Sequence, residues 1–269
     1  MLYFVATPIG NLKDITLRAL ETLKEVDVIF CEDTRHSLKL LDFYDIKKPL
    51  KSYHKFNEKE RVDEIVEYLN DGKNVAVISD AGTPVISDPG NVLSTALSER
   101  GVEFTVIPGA TAFVPALILS GLDASCFTFV GFLPEKNKDR DALIKKVEKY
   151  TQTLIFYSAP HDVNKDLKYL GEKLGDRAVS AVKEITKIHE TAYRGRLNLL
   201  QIDEPKGEFV IVVEGAKGEP CSFEMTEQEH IDYYLEKGYS KKDAIKAVAE
   251  ERGVSKNSLY KYTIKNEQD

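Results

Sequence analysis

The segment Ser79-Asp80-Ala81-Gly82-Thr83-Pro84-Val85-Ile86-Ser87-Asp88-Pro89-Gly90 packs two Asp, two Gly and two Pro into twelve residues, directly after the apolar run Val75–Ile78. Its prolines stiffen it, its glycines bend it sharply, and its backbone N–H and C=O groups stay open to a ligand. A plain turn needs about two to five such residues. At the end of a buried strand in an α/β protein, a loop of this length reads as a binding loop. A second segment of the same kind, Ala6-Thr7-Pro8-Ile9-Gly10-Asn11-Leu12, follows the apolar run that opens the chain. Pro8 narrows that turn and removes one N–H, which suits recognition of shape better than a phosphate cradle.

Glu32-Asp33-Thr34-Arg35-His36 follows Val28–Cys31 and places several ionisable groups at another strand end. Such groups either accept a proton and position a polar substrate, or form a helix N-cap in which Asp33 or Thr34 caps and Arg35 pairs with an acid. His54, in Ser52-Tyr53-His54-Lys55-Phe56-Asn57-Glu58, reads equally as a base or ribose contact and as an ordinary loop residue. The sequence contains neither G-x-G-x-x-G nor G-x-x-x-x-G-K-[ST], which disfavours dinucleotide and P-loop sites. It lacks G-x-S-x-G and H-x-x-x-H, and its histidines are scattered, so no hydrolase nucleophile or metal centre is indicated. The remaining profile is a backbone-lined cleft with few catalytic side chains. That suits a transferase whose donor arrives already activated.

Apolar runs at Leu2–Thr7, Val28–Cys31, Val75–Ser79 and Phe104–Ile107 alternate with helical patterns, including Val62, Ile65, Val66 and Leu69. This predicts a mostly parallel sheet with helices on both faces. Pro108-Gly109-Ala110-Thr111 reads as a hinge into a second lobe, with strands at Phe127–Phe132, Thr153–Tyr157, Ala178–Ile185, near Glu190–Arg194, and at Phe209–Val213. Some of these follow one another without a helix, so the second sheet is expected to be mixed. The domains are expected at 1–110 (N-terminal lobe), 111–218 (C-terminal lobe) and 222–269 (a small basic helical unit).

The composition is that of a folded protein: 269 residues, 42% apolar and 30% charged. Cys31, Cys126 and Cys221 lie far apart in sequence, which argues against a disulfide framework or a zinc knuckle. The apolar start lacks a basic leader, and the Ala112–Leu122 run is short and broken by Pro115. A cytoplasmic protein with no membrane association is expected. The net charge of −7 is unevenly spread. Ser240–Lys265 holds seven Lys/Arg against three acids, whereas Ser222–Tyr239 holds five acids against Lys237. Within three predicted helices (Glu227–Lys237, Lys241–Glu251 and Lys256–Tyr262), the spacing of Ala249, Gly253 and Leu259 fits a helix-turn-helix. An all-helical cap or dimer contact is the alternative.

Taken in order, Ala6–Leu12, Glu32–Arg35, Ser79–Gly90 and Pro108-Gly109-Ala110 resemble the ribosomal RNA small subunit methyltransferase I family of the tetrapyrrole-methylase superfamily. The likeness continues through Ser120-Gly121-Leu122, Gly131–Pro134, Lys183–Lys187 and Gly207–Val210, and spans roughly residues 1–216. It implies two α/β lobes of the tetrapyrrole-methylase type around a cofactor cleft, S-adenosylmethionine as cofactor, and a homodimer. It also implies methylation of a cytidine ribose 2′-hydroxyl in the decoding region of 16S rRNA within the small ribosomal subunit. By position, the resemblance assigns the cofactor to Pro8, Ile9, Asp80, Ala81, Gly82, Thr83, Pro84, Thr111 and Ala112, with Tyr157 and Val212–Ala216 as weaker candidates. Glu32, Asp33, Lys183 and Glu184 are the candidates to handle the hydroxyl proton, and Arg35 to contact phosphate. One block departs from the family. Where the family reads Tyr-Glu-Ser-Pro-His-Arg, this chain has Tyr157-Ser158-Ala159-Pro160-His161-Asp162. Two other readings stand beside this one: methylation of a small tetrapyrrole, and a ligand-sensing DNA-binding regulator.

Overall fold

The computed structural model describes residues 1–217, 225–252, 254–260 and 262. Gly253, Lys261, Lys265 and Cys221, which the sequence reading singled out, lie outside the described residues. The chain forms two compact units, one of residues 1–148 and 152–214, the other of residues 149–151 and 215–269.

The larger unit holds two five-stranded sheets. In the first, β1 (Leu2–Val5), β2 (Val28–Cys31), β3 (Leu50–Ser52), β4 (Val75–Ile78) and β5 (Phe104–Ile107) run in the order β3-β2-β4-β1-β5. All four pairings are parallel. Strands β1, β2 and β4 read as unbroken apolar runs because both of their faces are covered. Leu2, Phe4, Val28, Phe30, Val75 and Val77 pack beneath α3 (Glu58–Asn70) and α4 (Asn91–Glu99), which contribute Val62, Ile65, Leu93 and Leu97. The alternate residues Val5, Ile29, Cys31, Ala76 and Ile78 meet Ala19 and Leu23 of α1 (Leu17–Glu25) and Leu41 of α2 (Thr34–Phe43).

The sequence pattern gave no sign of β3. This strand is three residues long, follows Pro49, centres on Lys51, and pairs only with β2, so it carries no apolar period. Strand β1 also stops earlier than its apolar run. Thr7 leaves the ladder to form an antiparallel bridge with Gly82.

In the second sheet, β6 (Phe127–Phe132), β7 (Thr153–Ser158), β8 (Ala178–Lys183), β9 (Thr191–Arg196) and β10 (Phe209–Val213) run in the order β6-β7-β10-β8-β9. The sheet is mixed, as expected: β6 and β7 are parallel and the other three pairings antiparallel. Leu154, Phe156, Phe209 and Ile211 pack against α6 (Asn137–Val147) and α7 (Val163–Leu174). Ile155, Val182, Val210 and Val212 pack against Ala116 and Leu117 of α5 (Phe113–Ser120).

The smaller unit contains α8 (Glu227–Glu236), α9 (Lys241–Arg252) and α10 (Lys256–Tyr260), joined by a core of Ile231, Tyr234, Ala244, Ile245, Val248, Ala249 and Leu259. The buried His230 accepts the Arg252 Nε–H at Nδ1 (2.9 Å) and lies 2.9 Å from Glu251 Oε2 through Nε2. Accepting at Nδ1 fixes the tautomer and leaves Nε2–H to donate to the carboxylate. Helix α8 starts in a capping box in which Thr226 and Glu229 each bond the other's backbone N–H. Thr226→Ala is expected to destabilise this helix by about 1 kcal/mol. Faster hydrogen exchange in α8, with the two sheets unchanged, would show it. Among the described residues no helix is long and apolar enough to cross a membrane.

Candidate active site

Parallel strands end their hydrogen bonding with carbonyl groups at one edge, and the connecting loops collect there. Loops after β1, β2, β4 and β5 meet segments at the ends of β6, β7 and β8 and the start of β10 around a cavity of about 420 Å³. This falls in the range of small-ligand sites, about 300–1,000 Å³.

The loop after β4 forms one wall. Thr7 N–H donates to Gly82 O (2.8 Å) and Gly82 N–H returns a bond to Thr7 O (3.0 Å). Thr83 Oγ1 donates to Ala110 O (3.2 Å), tying this loop to the segment after β5. Gly82 has φ +83°, and a Cβ there would stand 3.2 Å from the Ile9 side chain. Val85 and Ser87 also have positive φ, 77° and 68°. A left-handed β-branched residue is costly and persists only where its surroundings enforce it. Here the far end of the loop is pinned. Gly90 N–H donates to Glu58 Oε1 (2.6 Å), which also accepts the hydroxyl of buried Tyr53 (2.9 Å). From the second sheet, β6 approaches so closely that a Cβ on Gly131 would sit 3.5 Å from Ser87 Oγ.

Charge in the cavity is mainly negative. Its ionisable lining groups are Glu32, Asp80, Asp88, Glu184, Glu208, Tyr157 and Lys187. Glu184 accepts from Lys187 Nζ (2.8 Å) and from Glu208 N–H (3.1 Å). Burial works against its charge, but these bonds hold its carboxyl below the ordinary value. Among the described residues, Glu32, Asp80 and Asp88 have no such cation. Burial, then the nearby Asp80, pushes Glu32 up, partly offset by His54. Burial and repulsion from Glu32 and Asp80 push Asp88 up to about 7, against a hydrogen bond from Ser79. No described group of three or more His, Cys, Asp or Glu side chains has the geometry to hold a metal ion.

Of the cofactor candidates, Ile9, Asp80, Ala81, Gly82, Thr83, Thr111, Ala112 and Tyr157 line the cavity, whereas Pro8 and Pro84 do not. The Val212–Ala216 end of β10 is also absent from the lining. β10 runs antiparallel to β7 and β8, pairing Phe209 with Ser158 and Lys183. The start of the strand, Glu208–Val210, therefore reaches the cavity.

Of the proton-handling candidates, Glu32 and Glu184 line the cavity and Asp33, Arg35 and Lys183 do not. Asp33 is the N-cap of α2. It binds Arg35 N–H (2.8 Å), Nε (3.2 Å) and Nη2 (2.8 Å), and the arginine's side-chain bond brings its carboxyl down to about 2. Arg35 itself is 88% exposed. This is the capping alternative that the sequence had left open. Lys183 ends β8, in register with Thr191 and Phe209.

Sequence reading did not assign Phe113, Phe132, Ser158–Pro160, Ile185, Lys187 or Glu208–Val210 to the site. Asp88 lay inside the flagged loop but was given no role. Ser158, the residue departing from the family, is buried and donates to Asp166 Oδ2 on α7 (2.7 Å). Asp166 Oδ1 stands 3.2 Å from Arg140 Nη2, and Arg140 Nε donates to Pro134 O. One buried network thus links the β7 end to the segment after β6. Asp162, the second departure, faces His161 (3.1 Å) and Lys165 (3.2 Å).

The pattern of the Tetrapyrrole (Corrin/Porphyrin) Methylases matches residues 1–201. The chain is 41% identical to ribosomal RNA small subunit methyltransferase I of Bacillus subtilis (strain 168), covering 97% of this chain and 92% of that protein. The chain belongs to this methyltransferase family. The Synechocystis relative of the same name is 42% identical, covering 100% of this chain and 99% of its own. The Thermotoga maritima relative is 43% identical over 218 residues, which are 98% of that protein but 80% of this chain. It has no room for a counterpart to the remaining fifth, so the family includes a shorter form. Among solved structures, diphthine synthase superposes with a TM-score of 0.65 at 19% identity, covering 80% of this chain and 89% of that one. A Thermus thermophilus uroporphyrin-III-C-methyltransferase superposes with a TM-score of 0.54 at 20% identity, covering 78% and 93%. At these identities the two structures establish the shared fold alone.

Proposed function

We propose that this chain transfers a methyl group from S-adenosylmethionine to the ribose 2′-hydroxyl of a cytidine in the decoding region of 16S rRNA, acting on the small ribosomal subunit in the cytoplasm. The observation that carries this reading is the acidic, backbone-walled cavity in a chain of this family. A donor bearing a sulfonium and an ammonium fits a cavity in which Glu32 and Asp80 form no salt bridge among the described residues. The one lysine of the lining is already paired with Glu184, so the wall offers no phosphate cradle. When bound, the sulfonium supplies a methyl group with its leaving group attached. The chain then has to align and to exclude water. Backbone at Ala81–Thr83 and Thr111–Ala112 gives a stiff seat, and Ile86, Phe132 and Tyr157 give apolar cover. The names of relatives about 40% identical favour ribosomal RNA over a small tetrapyrrole as acceptor.

Incubating the protein with S-adenosylmethionine and small subunits lacking the modification, then digesting the RNA to nucleosides, tests this. 2′-O-methylcytidine is expected by mass spectrometry. A base-methylated nucleoside, or transfer only to tetrapyrroles, would refute it.

The exposed Lys241, Lys242, Lys246 and Lys256 on α9 and α10 suit phosphate contacts. Changing all four to Gln should raise the KM for the subunit at least tenfold and flatten its salt dependence, with S-adenosylmethionine affinity within twofold of the parent. An unchanged KM would remove the RNA role of these helices. A homodimer completes the proposal. The edge strands β5 and β6 each leave an apolar side chain exposed, Val106 and Phe127, which a second copy would cover.

A further inference from the structure

Glu32, Asp80 and Asp88 reach the same cavity but differ in what surrounds them. Asp80 Oδ1 accepts the Asp33 N–H (3.1 Å), so one of its oxygens is committed to holding the β2 end. Glu32 faces Asp80 and His54. Asp88 sits farther along the loop, between left-handed Ser87 and the Gly90 amide that Glu58 anchors. Beside it, Ser87 Oγ lies 3.5 Å from where a Cβ on Gly131 of β6 would stand, and Asp88 and Tyr157 of β7 line the same cavity from the two sheets. Asp88 therefore stands where the two sheets meet. The other carboxylates of the lining are less suited to take a proton. Glu184 is bonded to Lys187, and Glu208 is 81% exposed with the same lysine 3.9 Å away.

We propose that Asp88 is the general base that removes the proton from the acceptor hydroxyl. This rests on the reading above that the acceptor is a ribose 2′-hydroxyl. The hydroxyl proton passes to a carboxylate oxygen of Asp88 as the hydroxyl oxygen's electron pair forms the new O–CH₃ bond. The C–S bond breaks with its pair left on sulfur, so the sulfonium becomes a neutral thioether. The proton on Asp88 then leaves to solvent. A base near the operating pH combines availability with driving force, and burial together with Glu32 and Asp80 sets Asp88 there. Asp33, held low by Arg35, is a far weaker acceptor.

The test is the second-order rate (kcat/KM) of transfer to unmodified small subunits from pH 5.5 to 9, whose profile reports ionisations of the free enzyme, alongside two readouts independent of turnover. For the parent protein, the rate should rise about tenfold per pH unit below 7 and level off above it. Asp88→Asn should be at least 100-fold slower at pH 8, with S-adenosylmethionine affinity within threefold of the parent. Glu32→Gln, by removing a like charge, should move the inflection to lower pH. Carboxyl ¹³C NMR should show one aspartate titrating near 7 that is absent from Asp88→Asn. A carboxyl raised on folding destabilises the native state progressively as pH climbs from its unfolded value to its folded one. Asp88→Asn should therefore raise Tm more at pH 8 than at pH 5. Ribose methylation by Asp88→Asn within threefold of the parent rate would overturn this role alone. So would an Asp88 signal titrating near 4. Parent protein that methylates a base, or nothing, would overturn the ribose reading and this role with it. If Asp88→Asn does not fold, a parent pH profile flat from 6 to 8 decides against the proposal.

Discussion

Gly82→Val is expected to weaken S-adenosylmethionine binding about 100-fold, some 2.7 kcal/mol, as read by calorimetry. Gly82 lines the cavity at φ +83°, and its N–H and C=O both bond Thr7. A β-branched residue is strained at that φ, so the substitution pulls against the bridge that joins the β1 and β4 loops. Its Cβ would already stand 3.2 Å from Ile9, so the added methyl groups must move Ile9 or enter the cavity. Gly72→Ala is the matched control. Gly72 has φ +75° with nothing within 4 Å of an added Cβ, so only backbone strain of about 1 kcal/mol is expected, with unchanged binding. Gly82→Val protein that binds within threefold of the parent would place the donor elsewhere.

Asp166→Ala should carry the largest stability cost, about 3–5 kcal/mol, because it leaves a buried cation without its partner. Arg140 is 16% exposed and Asp166 5%, so water does little to screen either. Burial pushes the Asp166 carboxyl up, against the Ser158 bond and the Arg140 charge. The pair is therefore costly to bury and costlier to split. With about 2–4 °C of Tm per kcal/mol for a domain of this size, Asp166→Ala should melt roughly 10 °C lower. Ser158→Ala removes one hydrogen bond and should cost about 1–2 kcal/mol. Combining Arg140→Met with Asp166→Leu should recover much of the loss, because no unpaired charge remains. An Asp166→Ala melting point within 2 °C of the parent would show that the network does not hold the β7 end.

The same network marks the limit of what could be read from the sequence. Strands β1, β2 and β4 were legible because helices cover both faces of the sheet and force apolar runs upon them. The loop after β4 was legible because its bends and stiffness demand Gly and Pro at close spacing. Arg140, Ser158 and Asp166 meet only after three elements have packed, and no local pattern in the chain announces that meeting. The Glu208–Val210 contact depends on the reversal of β10, which only the sheet register reveals. Asp33 and Arg35 had two readings from the outset. Their chemistry is the same in both, and the direction in which α2 starts chooses between them. Asp88 was in view but unremarkable, because what distinguishes it is the company of Glu32 and Asp80, contributed by two different strand ends.

That the donor lies in this cavity is tested most directly by photo-crosslinking. The protein is irradiated with [methyl-³H]S-adenosylmethionine, digested with trypsin, and its peptides are mapped with and without excess unlabelled donor. Competable label is expected in the peptides Asn74–Arg100, which carries the loop after β4, and Tyr150–Lys165, which carries Tyr157. Competable label confined to peptides that contribute nothing to the cavity would contradict the account.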